Sequence, residues 1–174
     1  MIHAALLYKG LSWTAAPGTH GLTMLPFFSG ERTPYWRADL RAAITGLSAS
    51  TDAFDILRAA LESIALRFRE IYCLLAKPWG APAEVIASGG ALLHSPAWTQ
   101  MIADALGQPV TICTETEASC RGAALWALAR LDIIDGIGAL PAATGAVFSP
   151  RPEFQAAYQD LLAQQNQLYE RLYG

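Results

Sequence analysis

The sequence predicts an α/β fold, and three observations support that prediction. From residue 51 onward, segments with a helical spacing of apolar residues alternate with short apolar runs that are typical of buried strands. Two adjacent glycines, Gly89 and Gly90, follow one of these runs and precede a helix. Proline or glycine also stands at most of the expected helix ends. Strands that alternate with helices in this way require at least some parallel pairing.

The composition is that of one domain with little charge. The chain has 174 residues, enough to bury a single hydrophobic core. Charged residues make up 16% of it, and the formal net charge is −3; an average domain has about 25% charged residues. No segment clusters Lys and Arg, so nucleic acid is not an expected partner. Two explanations of the low charge stay open, an alanine-rich composition and a face buried against another surface.

The sequence shows no pattern typical of a membrane-spanning helix, a signal peptide or a metal site. No apolar run reaches the roughly 18 residues of a membrane-spanning helix, and the N-terminus lacks the basic start of a signal peptide. The three cysteines form no CxxC pair, so we expect free thiols in a reducing, cytoplasmic compartment. The three histidines lie far apart, which makes a zinc site unexpected.

The first 50 residues predict short strands and loops. Residues 14–21 carry Pro and Gly together and predict a loop. LTMLPFF (22–28) predicts a short buried strand, and AAITGL (42–47) predicts a strand or a turn. The polar stretch between them, residues 29–41, contains Pro34 and predicts a structured loop.

The clearest helix spans residues 51 to about 76. Its apolar residues recur at intervals of three and four, which places them on one helical face. They are Phe54, Leu57, Leu61, Ile64, Phe68, Ile71 and Leu75. Thr51 or Asp52 is the expected N-cap, and Pro78 with Gly80 is the expected stop.

The first strand–turn–helix unit contains the adjacent glycines. EVIAS (84–88) predicts a strand, and Ser95 followed by Pro96 predicts a hydroxyl-capped start for a helix over 96–106. Glycine lets a ligand approach the backbone without a Cβ in the way, and ligands of open α/β sheets bind beyond the carboxyl ends of strands. A tight turn without any ligand is the alternative explanation of the two glycines.

A second unit of the same kind comes next. PVTIC (109–113) predicts a strand. Thr114 and Glu117 fit a capping box, which predicts the start of a helix that continues to Leu131. The spacing of apolar residues predicts a last helix over about residues 151–172.

Four blocks of the sequence resemble, in the same order, the C-terminal domain of the FGGY carbohydrate kinases. They lie within residues 20–135 and are LTMLPFFSGERTPYWRADLRAAITGL, ILRAALESIALRFREI, SGGALLHSPAWTQMIADALGQPV and TEASCRGAALWALARL. This family phosphorylates sugars and polyols such as xylulose, gluconate and glycerol with MgATP. The resemblance implies a partial ribonuclease-H-like domain of the actin-like ATPase fold, with a mixed sheet flanked by helices. The form LPFFSGERTPYW favours the gluconate and xylulose branch over glycerol kinases.

The resemblance also implies a place for the nucleotide. In these kinases the Gly-Gly-Ala turn lies against the adenine and ribose of ATP, so Gly89, Gly90 and Ala91 are expected to approach the nucleotide. His94 is expected to reach the adenine side of the nucleotide. The alternative is that His94 is simply a solvated residue just before a helix cap. The helix that contains Gly122 is expected to pack its small residues closely against the sheet beneath the site.

The loop SGERTPYW allows two interpretations. Glu31 and Arg32 are expected to form a charge pair, with Pro34 holding the loop and Tyr35 and Trp36 anchoring it. In the first interpretation the loop shapes a cleft or contacts another domain. In the second it packs on itself around an internal ion pair.

The resemblance sets the expected domain organisation. Residues 1–20 form a poorly matched N-terminal segment, residues 21–150 a partial FGGY C-terminal domain, and residues 151–174 the C-terminal helix of that domain. The N-terminal domain of such kinases carries a phosphate loop, most of the sugar site and the aspartate base, and none of these is matched here. The Gly-Thr-rich phosphate hairpin is expected to precede the first residue. No catalytic or metal-binding residue is therefore expected in this chain.

The sequence thus predicts the ATP- or ADP-binding C-terminal portion of a carbohydrate kinase, inactive alone. It is expected to bind a sugar or sugar acid only together with an N-terminal kinase domain, and Mg²⁺ is expected only in the complete enzyme. A non-catalytic binding or dimerisation module derived from such a kinase is the alternative. Self-association and a separate N-terminal chain both stay open as partners, and neither nucleic acid nor a membrane is expected.

Overall fold

The computed structural model of the protein describes residues 15–174. In this part of the chain the strands are β1 (Thr23–Leu25), β2 (Ala43–Thr45), β3 (Val85–Ala87), β4 (Val110–Cys113) and β5 (Thr144–Phe148). The helices are α1 (Ala53–Trp79), α2 (Gly90–Leu93), α3 (Pro96–Leu106), α4 (Ala118–Arg130) and α5 (Gln155–Tyr173). Short 3₁₀ turns span Ile137–Ala139 and Pro152–Phe154. The predicted alternation of strands and helices after residue 51 is confirmed.

Strands β3, β4 and β5 form one sheet in that order. β3 pairs with β4 in parallel, with Val85 opposite Val110, and β4 pairs with β5 antiparallel, with Val110 opposite Phe148. β1 and β2 form a separate antiparallel ladder. The larger sheet is therefore mixed, and the carboxyl ends of its two parallel strands meet at the same edge.

Helix α1 lies at the centre of the packing. Its start is the predicted one, because Asp52 caps it and forms a capping box with Asp55. Its end is at Gly80, whose N–H donates to the Ala76 carbonyl at 2.7 Å, whereas Pro78 lies inside the last turn and does not stop the helix. The main core contains buried residues from α1, α3, β4 and α5, namely Ala65, Leu66, Ile102, Ala103, Ala105, Leu106, Val110 and Tyr158.

A buried carboxylate on α1 holds the first described residues. Glu62 accepts a hydrogen bond from the Gly18 N–H at 3.0 Å, lies 3.1 Å from His20 Nε2, and accepts one from Arg58 Nε at 2.8 Å. Arg58 in turn donates to the Ala15 carbonyl at 2.7 Å. Burial disfavours the ionised form, but the hydrogen bonds from His20 and Arg58 outweigh it and hold the pKa of Glu62 below its ordinary value. Residues 15–20 are thereby bound to α1.

A second buried carboxylate fixes the start of the C-terminal helix. Asp104 on α3 is fully buried. It accepts hydrogen bonds from the Arg151 N–H at 2.7 Å and from the Arg151 guanidinium at 2.9 and 2.6 Å. Gln155 donates to the Asp104 carbonyl at 2.8 Å. One side chain therefore joins α3 to the segment that leads into α5.

Two predicted helix caps are wrong. Ser95 occupies the N-cap position of α3, but its hydroxyl makes no cap bond and is buried without a hydrogen-bond partner among the described residues. Glu117 precedes α4 without capping it, and the Thr114 hydroxyl donates to the Ala143 carbonyl at 3.2 Å instead. The Thr114 hydroxyl therefore bonds to a residue distant in sequence and not to the N-terminus of the helix.

We expect Asp104→Ala to lower the free energy of unfolding by about 3 kcal/mol, because it removes several charge-assisted hydrogen bonds and leaves Arg151 without its buried partner. Asp160→Ala removes an exposed carboxylate from α5 and serves as the matched control. Urea unfolding followed by circular dichroism measures both variants. Equal losses in the two variants would contradict the anchoring role of Asp104.

Candidate functional site

The two adjacent glycines lie where β3 passes into α2. Gly89 has a φ of +108°, which side chains rarely tolerate, and its carbonyl accepts hydrogen bonds from the N–H groups of Leu92 and Leu93 at 3.1 Å. Gly90 begins α2. A Cβ built on either glycine would meet no atom within 4 Å. The turn therefore needs glycine for its conformation at Gly89, and both glycines border open space.

This turn offers backbone donors to solvent. The first N–H groups of any helix have no acceptor within that helix, and the first bonds back to Gly89 here begin at Leu92. Ser88, Gly89, Gly90 and Ala91 are all exposed. The N–H groups of Gly90 and Ala91 are therefore accessible to a ligand. Because α2 has only four residues, these individual donors matter more than any helix dipole.

His94 lies at the end of the same short helix. Its N–H donates to the Gly90 carbonyl at 3.1 Å, and its side chain is exposed. The structure thus places the exposed imidazole one helical turn after Gly90. All four residues of the predicted site, Gly89, Gly90, Ala91 and His94, belong to one exposed surface.

The turn after β4 opens at the same edge of the sheet, because β3 and β4 are parallel. Glu115 lies in this turn, where its carboxylate is 3.3 Å from Arg121 Nε and accepts a hydrogen bond from the Ala143 N–H at 3.2 Å. Its charge is thus paired by a cation of α4. The second turn is thereby bound to α4 and to the residue that precedes β5.

The predicted close packing of α4 is wrong. Among the residues of this helix only Leu125 is buried. Gly122 and Ala123 are exposed, and a Cβ on Gly122 would meet no atom within 4 Å. The small side chains of α4 would allow another element to pack closely against this helix, but no described element does so. The helix is therefore mostly exposed.

The predicted ion pair within the SGERTPYW loop is also wrong. Glu31 is buried and pairs with Arg67 of α1, whereas Arg32 is exposed. Arg67 also pairs with Glu70, which accepts a hydrogen bond from the Tyr35 hydroxyl at 3.1 Å. Burial raises the pKa of Glu31 above its ordinary value, although Arg67 acts in the opposite direction. The loop is therefore bound to α1 and not packed around an internal pair.

A polar cavity of about 490 Å³ adjoins this loop. It lies between the loop, α1 and α5, and its lining includes Tyr35, Arg67, Asn166 and Tyr169. Trp36 does not anchor the loop as predicted, because 75% of its surface is exposed. Sequence reasoning missed Arg67. Arg67 lies on the buried face of α1, which also carries Arg58 and Glu62, so no isolated charge in an apolar stripe marked it.

Residues 15–174 contain neither a metal-binding cluster nor a membrane-spanning helix. No group of three His, Cys, Asp or Glu side chains in that range is arranged to hold a metal ion. Within the same range no helix combines the length and the apolar character needed to cross a bilayer. The three cysteines are unpaired, as predicted.

Comparison with known families gives one decisive match. The model of the C-terminal domain of the FGGY family of carbohydrate kinases matches residues 5–131. The chain belongs to the FGGY family. This match starts ahead of residue 21, where the sequence blocks placed the start of the domain. Residues 1–14, in the segment expected to match poorly, lie outside the described residues.

Similar FGGY kinases act on several acceptors, as their names state. A glycerol kinase of Nitrosomonas eutropha is 35% identical over 119 residues, which are 68% of this chain and 24% of that protein. A gluconokinase of Bacillus subtilis is 30% identical over 136 residues, 78% of this chain and 26% of that protein. The solved xylulose kinase of Rhodospirillum rubrum superposes with a TM-score of 0.76 at 31% identity, covering 97% of this chain and 33% of that one.

These comparisons confirm the predicted fold class. The chain has the mixed sheet and flanking helices of a partial actin-like ATPase domain, and its residues 5–131 match the C-terminal domain of the FGGY carbohydrate kinases. It spans about a quarter of the length of the curated relatives it matches. The activity of a whole kinase therefore enters below as a proposal.

Proposed function

We propose that this chain supplies the nucleotide-binding surface of an ATP-dependent carbohydrate kinase. The observation that supports it is the exposed turn at residues 88–91, at the carboxyl edge of two parallel strands, where Gly89 and Gly90 border open space. Nucleotides in open α/β sheets bind at such edges. We propose that Gly89, Gly90, Ala91 and His94 contact ATP or ADP.

The chemistry of this turn fits the adenosine part of a nucleotide. Flat rings and a ribose can approach a backbone that has no Cβ in the way. The N–H groups of Gly90 and Ala91 can donate to ribose or ring acceptors, and the exposed imidazole of His94 offers a further polar contact. Bound MgATP supplies the phosphoryl group for transfer. The residues of this chain bind and orient the nucleotide, and we assign no Mg²⁺ ligand among them.

The carboxylates near the recognised motifs support the proposal that the chain is inactive alone. A base for phosphoryl transfer must reach the attacking hydroxyl of the acceptor. Asp104 is buried against Arg151, Asp39 pairs with Arg37, and Asp52 and Asp55 form the capping box of α1. Each of these groups has a structural partner. We propose that the base and most of the sugar site belong to the remainder of the kinase.

The acceptor we propose is gluconate or xylulose. The motif LPFFSGERTPYW supports this choice, as do the names of the Bacillus subtilis and Rhodospirillum rubrum relatives. The alternative is a binding or dimerisation module without catalysis. Large exposed apolar side chains such as Trp79 and Trp126 favour an interaction surface of that kind.

Calorimetric titration of the purified chain with MgADP tests the nucleotide site. We expect binding in the wild type and at least a tenfold weaker Kd, about 1.4 kcal/mol, in Gly90→Val, because the new side chain occupies the space that the nucleotide needs. Gly138→Val is the matched control, since Gly138 is also exposed, borders open space and lacks a positive φ. No binding by folded wild type, or equal loss in both variants, would refute the proposal.

We also expect the isolated chain to transfer no phosphate. Incubation with MgATP and either gluconate or xylulose, followed by a coupled assay for ADP, should show no turnover above the rate without acceptor. The reason is that the carboxylates near the recognised motifs, Asp39, Asp52, Asp55 and Asp104, each have a structural partner. Turnover in the range of about 1–100 s⁻¹ that is typical of kinases would overturn this expectation.

A further inference from the structure

The polar cavity beside the SGERTPYW loop has the size of a small-molecule site. Its volume is about 490 Å³, within the range of roughly 300–1,000 Å³ that is usual for such sites. Tyr35 and Arg37 line it from the loop, and α1 forms a second wall. The third wall is α5, where Asn166, Tyr169 and Glu170 have the spacing that places side chains on one helical face.

The wall formed by α5 presents polar groups that have no partner. The amide of Asn166 and the carboxylate of Glu170 make no side-chain hydrogen bond or ion pair within residues 15–174, and both residues are exposed. An amide oxygen and a carboxylate both accept hydrogen bonds. The cavity therefore offers acceptors to a ligand that carries N–H donors.

The cations of the cavity are already paired. Arg37 donates to Asp39 at 2.8 Å. Arg67 pairs with both Glu31 and Glu70. These two guanidinium groups are thus matched by three carboxylates, before the unpaired carboxylate on α5 is counted. An anionic ligand would find no unpaired guanidinium there, whereas a cation would enter a region of excess negative charge.

A further negative group lies behind the wall of the cavity. Glu31 is only 5% exposed, and its Oε2 is buried without a hydrogen-bond partner among the described residues. Burial raises the pKa of Tyr169, and the negative charge of Glu31 is the next cause of that rise. The field of Glu31 therefore reaches an aromatic ring that lines the cavity.

Two aromatic rings and a helix end add to the attraction for a cation. The rings of Tyr35 and Tyr169 have centroids 6.3 Å apart and are tilted by 43°. A cation within about 6 Å of a ring centroid is attracted by the ring face. Glu170 lies in the last turn of α5, where the unpaired carbonyls also disfavour a carboxylate and favour a cation. Arg171, the next residue, lines a different cavity.

We propose that this cavity binds an organic cation through a primary ammonium group. Glu170 and Asn166 accept hydrogen bonds from the ammonium, and Tyr35 and Tyr169 contact it with their rings. The partner is organic, because no three His, Cys, Asp or Glu side chains in residues 15–174 are arranged to hold a metal ion. A free aliphatic diamine and the lysine side chain of a peptide share this chemistry. No lining residue belongs to residues 88–94, so the inference does not rest on the proposed function.

Titration of the full 174-residue chain with putrescine tests the inference. Calorimetry and amide NMR at low ionic strength, where charges are least screened, provide the measurement. We expect saturable binding, with the largest amide changes at residues 166–170. The matched probe is 1,4-butanediol, which has the same carbon chain with hydroxyl groups in place of the ammonium groups, and it should not bind saturably. Equal binding of both probes, or none of putrescine by folded chain, would overturn the inference.

Two variants test the residues of the cavity. Glu170→Gln should weaken the Kd for putrescine at least tenfold, because it removes the unpaired negative charge. Tyr35→Leu should also weaken it, because it removes one ring. Glu153→Gln is the matched control, since Glu153 is exposed in the turn before α5 and does not line the cavity. Unchanged binding in Glu170→Gln, or the same loss in the control, would contradict the assignment.

Two further titrations identify the source of the ammonium group and separate the two sites. The same titration with lysine capped at both backbone ends compares a peptide side chain with a free diamine. Tighter binding of the capped lysine assigns the cavity to a peptide, and tighter binding of putrescine assigns it to a free amine. MgADP binding should be unchanged in Glu170→Gln. Amide changes at residues 88–91 and none on α5 during the putrescine titration would overturn the cation site.

Discussion

Parallel pairing of β3 with β4 is the constraint on which the candidate site depends. It brings the turn that contains Gly89 and Gly90 to the same edge as the turn that contains Glu115. Within residues 15–174, β3 is also the outermost strand of this sheet on its side.

Buried ion pairs hold the rest of the chain around this sheet. Glu62 fixes the first described residues on α1, Arg67 fixes the SGERTPYW loop through Glu31, and Asp104 fixes the entry to α5 through Arg151. These charged side chains therefore stabilise the fold.

The parts of the fold that follow local rules could be predicted, and those set by distant contacts could not. Periodic apolar residues predicted α1, and α3 begins and ends at the expected residues. β5 was missed because it is mostly exposed, so no buried run marks it. The bond from Thr114 to Ala143 and the pairing of Glu31 with Arg67 join residues far apart in sequence. Gly89 could be singled out because a glycine pair after a strand is a local signal.

The most direct test of the account is to observe the backbone amides of the turn while the nucleotide binds. Amide NMR spectra of the full chain during titration with MgADP provide that observation. The account predicts the largest changes at Gly89, Gly90, Ala91 and His94, with little change at the polar cavity beside Tyr169. Changes confined to that cavity, or none at the turn in a folded sample, would contradict the central claim.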